Sequence, residues 1–108
     1  MDKEQKWANV IRQSRLLFEA DAPKRLAAAR EALAGWQAGR LSAEAAAEAV
    51  YQQLHAIKGV AQTVGYDACH QACETYTSRY ASHRPEELLA TASGEIARME
   101  AELTARGQ

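Results

Sequence analysis

Apolar residues recur along this chain at helical intervals, and no stretch alternates as a strand would. The cleanest run is Ala47, Val50, Leu54, Ile57, Ala61 and Val64, at steps of three, four, three, four and three. That spacing sets six side chains on one stripe of an α-helix, the pattern of a bundle seam. Ser42 precedes the run as a candidate N-cap, with Glu44 and Glu48 suited to the positive helix end. Gly65 closes the segment as a candidate C-cap.

Upstream, Trp7, Ile11 and Phe18 mark one face between about Lys3 and Ala20, with Val10 and Leu17 beside it. Asp21-Ala22-Pro23 then interrupts: Asp21 suits an N-cap, and Pro23 suits a first turn, where its missing N–H costs little. Yet the apolar phase continues through Phe18, Ala22, Leu26, Ala29, Leu33 and Trp36. The expectation is two helices nearly in line, or one kinked at Pro23, ending near Gly35 and Gly39. Downstream, Asp67 is placed to cap a segment with the seam Tyr66, Cys69, Cys73, Tyr76 and Tyr80. The link before it is so short that this helix must lie antiparallel to its predecessor. Ser82 to Pro85 is a loop, with Pro85 suited to a first turn. The last seam is Leu89, Ala92, Ile96, Met99 and Leu103, running nearly to Gln108.

These segments predict an all-α protein. The expected architecture is an up-down-up-down antiparallel four-helix bundle with an additional or kinked N-terminal helix. With 108 residues, the chain is one domain, residues 1–108, with a single core. Abundant alanine and few prolines and glycines agree with that class.

A net charge of −1 leaves no footprint for nucleic acid or an anionic membrane. No apolar run approaches the roughly 20 residues that span a bilayer, and the N-terminus lacks a signal-peptide core. Cys69 and Cys73, four apart on one helix, make no disulfide framework, so a reduced, cytoplasmic setting is expected. With His70 between them they suggest metal, but both lie in the apolar seam and His70 points elsewhere. A structural zinc site needs four converging ligands, so no metal site is assigned. His83 and the charged residues are expected on solvated faces.

Chemistry concentrates at His55-Ala-Ile-Lys58-Gly59. His55 follows the seam residue Leu54, so it turns about 100° away from the core. Lys58 and Gln62 follow on the same flank, and Tyr51 lies one turn before. Gly59 is outward too; inside a helix glycine costs about 1 kcal/mol against alanine, so a bare surface is wanted there. If the hairpin turns near Gly65 and Tyr66, Thr77 stands across from His55, and Glu74 across from Lys58. Thr77 could then hydrogen-bond the ring and fix its tautomer. An exposed imidazole nitrogen can accept a phosphoryl group, and a cation one turn away would stabilise the charge on its oxygens. Gly59 lets a bulky partner approach. No phosphate-cradling glycine loop, nucleotide motif or carboxylate cluster for magnesium accompanies them. Another protein must therefore deliver and remove the group, and the chain is not expected to be an enzyme.

The pattern His55-x-x-Lys58-Gly59, with Gly65 ten residues after the histidine, resembles the histidine phosphotransfer domains of phosphorelays and chemotaxis kinases. Leu17 to Leu33 is similar to their first helices, and the resemblance covers about residues 12 to 106. It implies that His55 is phosphorylated at Nε2 by a phosphoaspartate or a kinase domain and that a receiver aspartate accepts the group. It implies that the receiver brings the magnesium, so that this domain binds no cofactor and works as a monomer. Lys58 would carry the family's electrostatic role and Gly59 its steric one. Thr77 falls where members often carry a glutamine or glutamate that bonds the imidazole. Ala56 replaces a common serine or threonine, and Val60 and Gln62 are larger than the residues usual there. Tyr51, Gln52, Ala56 and Gln62 are the candidate docking residues. The alternative is a docking module that binds receivers or other signalling proteins without carrying phosphate.

Overall fold

The computed structural model describes residues 2–107, and among them it contains four helices and no strand. These are α1 (Lys3–Gln37), α2 (Ala43–Ala61), α3 (Asp67–Arg79) and α4 (Pro85–Arg106). α1 packs on α2 and α4, α3 packs on the same two, and α2 also touches α4. α1 and α3 therefore occupy opposite corners of a four-helix bundle. The core is one cluster, with Leu26, Val50, Leu54, Tyr66, Tyr76, Ile96 and Met99 among its fully buried members.

The expected seam is buried at all six positions, five of them in α2 and the sixth, Val64, in the turn that follows it. Those of α3 and α4 are buried except at their last residues, Tyr80 and Leu103, which pack against the core's edge. Ser42 caps α2, its Oγ accepting from Ala45 N at 3.1 Å. Gly65 adopts φ of 84°, and the bonds Tyr66 N to Ala61 O (2.8 Å) and Gly65 N to Gln62 O (3.1 Å) form a Schellman closure. Gly39, with φ of 77°, closes α1 in the same way, Arg40 N reaching Gly35 O at 2.8 Å.

The N-terminal third departs from expectation. α1 is a single helix of 35 residues with Pro23 inside it, so no additional helix is formed. Proline in a helix interior costs about 3 kcal/mol. Phe18 and Ala22 before it and Leu26 and Ala29 after it are all buried, so packing on both sides holds the helix through the break. Asp21 is not a cap; its carboxylate accepts from Arg25 Nε at 2.6 Å, and Asp2 caps α1 instead, bonding Gln5 N at 2.8 Å. The expected Trp7-Ile11-Phe18 face is buried only at Phe18. Trp7 is 65% exposed because α2 turns back at Gly65, and Arg15, whose Nε donates to Val64 O at 3.3 Å, already lies level with that turn. The first turns of α1 thus run past the end of their neighbour.

Asp67 is also not the cap of α3. It is the first helical residue, and Tyr66 at the cap position makes no side-chain bond. The carboxylate of Glu102 on α4 accepts from Ala68 N (3.2 Å) and Cys69 N (2.8 Å), satisfying two of the orphan N–H groups. Around the same turn, the Tyr66 hydroxyl donates to Glu19. Arg106 donates to Gly65 O and covers the Tyr66 ring at 4.7 Å. Burial and the Glu19 carboxylate push the Tyr66 phenol up to about 12. The Arg30 guanidinium bonds both Glu100 oxygens, at 2.8 and 2.6 Å, tying α1 to α4.

Candidate functional site

At 100° per residue, the α2 seam leaves an outward strip of Gln52, His55, Gly59 and Gln62. All four are exposed. Lys58 and Tyr51 flank the strip toward α3, and Ala56 and Val60 flank it toward α1.

On the α3 flank the hairpin register matches the sequence expectation. Lys58 Nζ lies 2.6 Å from Glu74 Oε2, and the Tyr51 and Tyr80 rings stack with centroids 4.2 Å apart. The hydrogen bond and charge of Lys58 hold the Glu74 carboxyl below the usual carboxylate range. This register sets Thr77 level with His55. The expected hydrogen bond between them is nevertheless not made: Thr77 Oγ1 is buried with no hydrogen-bond partner among the described residues. The imidazole instead stacks on Tyr51, with centroids 5.5 Å apart and planes 13° from parallel. Tyr51 is itself held by Tyr80, which leans on Tyr76, and Tyr76 donates its hydroxyl to Ala47 O at 2.7 Å. A column of aromatic rings thus runs from the core to the imidazole, in the place where a side-chain hydrogen bond was expected.

Gly59 is bare in fact as well as in sequence. A Cβ built on it meets nothing within 4 Å, so no neighbouring helix requires the glycine. Open space beside His55 is what its missing side chain provides.

Toward α1 the strip opens into a shallow groove of about 300 Å³, lined among others by Ala56, Ile57 and Val60 of α2 and by Leu17, Phe18 and Asp21 of α1. Leu17 is 71% exposed and Val60 40%, so the groove carries uncovered apolar surface next to the histidine. Of the expected docking residues, Ala56 lies in this groove, Gln52 and Gln62 lie on the strip, and Tyr51 lies on the opposite flank. The α1 contribution was missed from sequence. Its signal was Leu17, a large apolar residue standing off the seam that continues through Phe18.

The other chemistry-bearing residues do not join this site. Cys69 Sγ approaches Met99 O at 3.7 Å, and Cys73 Sγ approaches Met99 Sδ at 3.4 Å. Burial pushes the Cys73 thiol up to about 12 and Cys69 in the same direction, which leaves both as core side chains. Among the described residues, no three histidine, cysteine, aspartate or glutamate side chains are grouped to hold a metal ion. No helix among them is long and apolar enough to cross a membrane.

Comparison with curated proteins and with solved structures gives no match to the chain. A family model does match: the Hpt domain, over residues 13–106. Hpt domains are phosphocarriers of two-component phosphorelay signalling rather than catalysts in their own right, and they interact with receiver domains and kinases. The match takes in all of α2, α3 and α4 and most of α1, and with the helical bundle it shows that this chain belongs to the Hpt domain family.

Proposed function

We propose that this Hpt domain is a phosphorelay intermediate in which His55 carries the phosphoryl group. One observation carries the reading: an exposed imidazole at the centre of the outward strip of α2, with a lysine one turn on and open space over Gly59. A ring nitrogen, Nε2 by analogy with the family, attacks the phosphorus of a receiver phosphoaspartate or of a kinase-borne donor. The N–P bond forms as the O–P bond breaks, and the leaving oxygen keeps the electron pair. Onward transfer to a receiver aspartate reverses these roles. The ring leaves as neutral imidazole when its other nitrogen holds a proton.

Three features support this reading. The Tyr51 stack limits how the imidazole can turn, and orientation is a large part of the barrier in a transfer between two proteins. Lys58 supplies positive charge within reach of the phosphoryl oxygens. The α1–α2 groove, with Leu17 and Val60 uncovered, offers a receiver an apolar surface beside the reacting atom. Magnesium is assigned to the partner receiver.

The test is labelling. The chain is incubated with phosphorylated kinases and receivers of its source organism and the modified residue is mapped. An acid-labile, singly phosphorylated species at His55 is expected, absent in His55→Gln. Equal labelling of His55→Gln overturns the proposal. Receiver binding that survives His55→Ala, with no phosphohistidine under any donor, would make the chain a docking module instead.

A further inference from the structure

The Lys58–Glu74 pair has a consequence for the site. Among the described residues, the carboxylate bonded to the Lys58 ammonium is that of Glu74, on the neighbouring helix, at 2.6 Å. Lys58 is one turn from His55, and the α2–α3 register sets Glu74 one turn from the level of the imidazole. The groups that face Glu74 are Lys58 across the helix interface and His70 on its own helix, and both favour its charged form. The cation needed at the phosphoryl group is thus already engaged by an anion.

We propose that Glu74 is the counter-ion that competes with the phosphoryl group for Lys58, and so limits how tightly phosphohistidine is held. This rests on the reading above that His55 carries the group. The bond changes are those of the transfer itself, and Glu74 takes no part in them. It is a positioning residue acting through Lys58. With Glu74 present, the ammonium is shared between the carboxylate and the phosphoryl oxygens. With Glu74 neutralised, the ammonium is free to turn wholly to the phosphoryl group. While the group rests on His55 its oxygens carry full negative charge, so an ammonium freed to bond them holds the phosphohistidine more tightly where no receiver is present to take the group. Glu74 keeps that hold weak, as a carrier that must both accept and release requires. The pair is part-exposed, so the effect is expected at about two- to fivefold, the range of a solvent-accessible ion pair.

The experiment loads the chain with potassium phosphoramidate, a small donor that phosphorylates accessible imidazoles, and follows the lifetime of phospho-His55 at pH 8 by phosphorus NMR. Wild type, Glu74→Gln, Lys58→Ala and the double variant are compared. Glu74→Gln is expected to lengthen the lifetime about two- to fivefold, Lys58→Ala to shorten it, and Glu74→Gln to add nothing in the Lys58→Ala background. An unchanged lifetime in Glu74→Gln overturns the proposal. So does a lengthening that persists without Lys58, because Glu74 would then act by its own charge. Failure of the underlying reading looks different: wild type takes no phosphoryl group at His55, or the label maps to His70 or His83.

Discussion

Replacing Gly59 by alanine should make this protein more stable and a poorer relay. Gly59 is in the last turns of α2 with no positive φ, and a Cβ there meets nothing within 4 Å. Alanine therefore brings no clash and reduces the freedom of the unfolded chain, which for an exposed helical glycine is about 0.5–1 kcal/mol. For a domain of this size that corresponds to a melting temperature about 2–4 °C higher. Gly94 is the internal control. It too is exposed and helical with nothing within 4 Å of a built Cβ, but it lies on α4 in a groove shared with Arg79, Glu95 and Arg98. Gly94→Ala should raise the melting temperature by a similar amount without altering transfer to or from a receiver. Gly59→Ala should slow transfer, and Gly59→Leu should slow it further, while phosphoramidate, a small donor, still labels both. Thermal melts and receiver-dependent transfer rates measured on the same preparations separate the two effects. If Gly59→Ala gains no stability, the space assigned to the site is wrong. If Gly59→Leu exchanges phosphoryl groups with receivers at the wild-type rate, steric access is not what the glycine provides.

Two further outcomes follow from the packing around the site and the core. Tyr51→Ala should slow phosphoryl acceptance by His55 about two- to tenfold, the equivalent of one aromatic pair, whereas Tyr51→Phe keeps the stack and should stay near wild type. Stopped-flow or quench transfer assays read the difference, and equal rates for the two variants would remove the stack from the mechanism. Glu95 is 4% exposed, with Oε2 unpartnered, and burial raises its carboxyl above the ordinary 4.5 against the opposing pull of Arg79 and Arg98. Its folded-state value exceeds its unfolded one, so its contribution to stability is greatest below pH 4.5 and is lost as pH rises through the folded value. Glu95→Gln should therefore be more stable than wild type at pH 7 and gain little at pH 4. Denaturant melts at the two pH values check this, and a stability difference independent of pH would rule out the burial account.

Much of the bundle was legible in the chain. The α2 seam needed only its spacing, since six apolar residues at three- and four-residue steps share one face of any α-helix. Ser42 and Gly65 were legible because caps act within a few residues of themselves. The pairing of Lys58 with Glu74 was legible because a link as short as the one at Gly65 and Tyr66 leaves one register for the two helices that it joins. His55, Lys58 and Gly59 stood out for the same local reason: helical phase turns all three away from the seam.

What only the tertiary structure decided lies beyond the reach of local pattern. Pro23 marks a break in the chain, but burial of Phe18, Ala22, Leu26 and Ala29 outweighs the cost of one proline, and α1 runs on. Trp7 has the phase of a core face, yet a face is buried only where a neighbour extends far enough to cover it. Asp67 has the chemistry of a cap, but Glu102, distant in sequence, reaches the same N–H groups in space. At the histidine, the register was right and the partner was not. Thr77 stands level with His55, but its short side chain leaves the hydroxyl buried and unpaired, and Tyr51, braced by Tyr80, meets the ring instead. Periodicity along one helix determines which way a side chain points; the reach of that side chain and the space between helices determine what it touches.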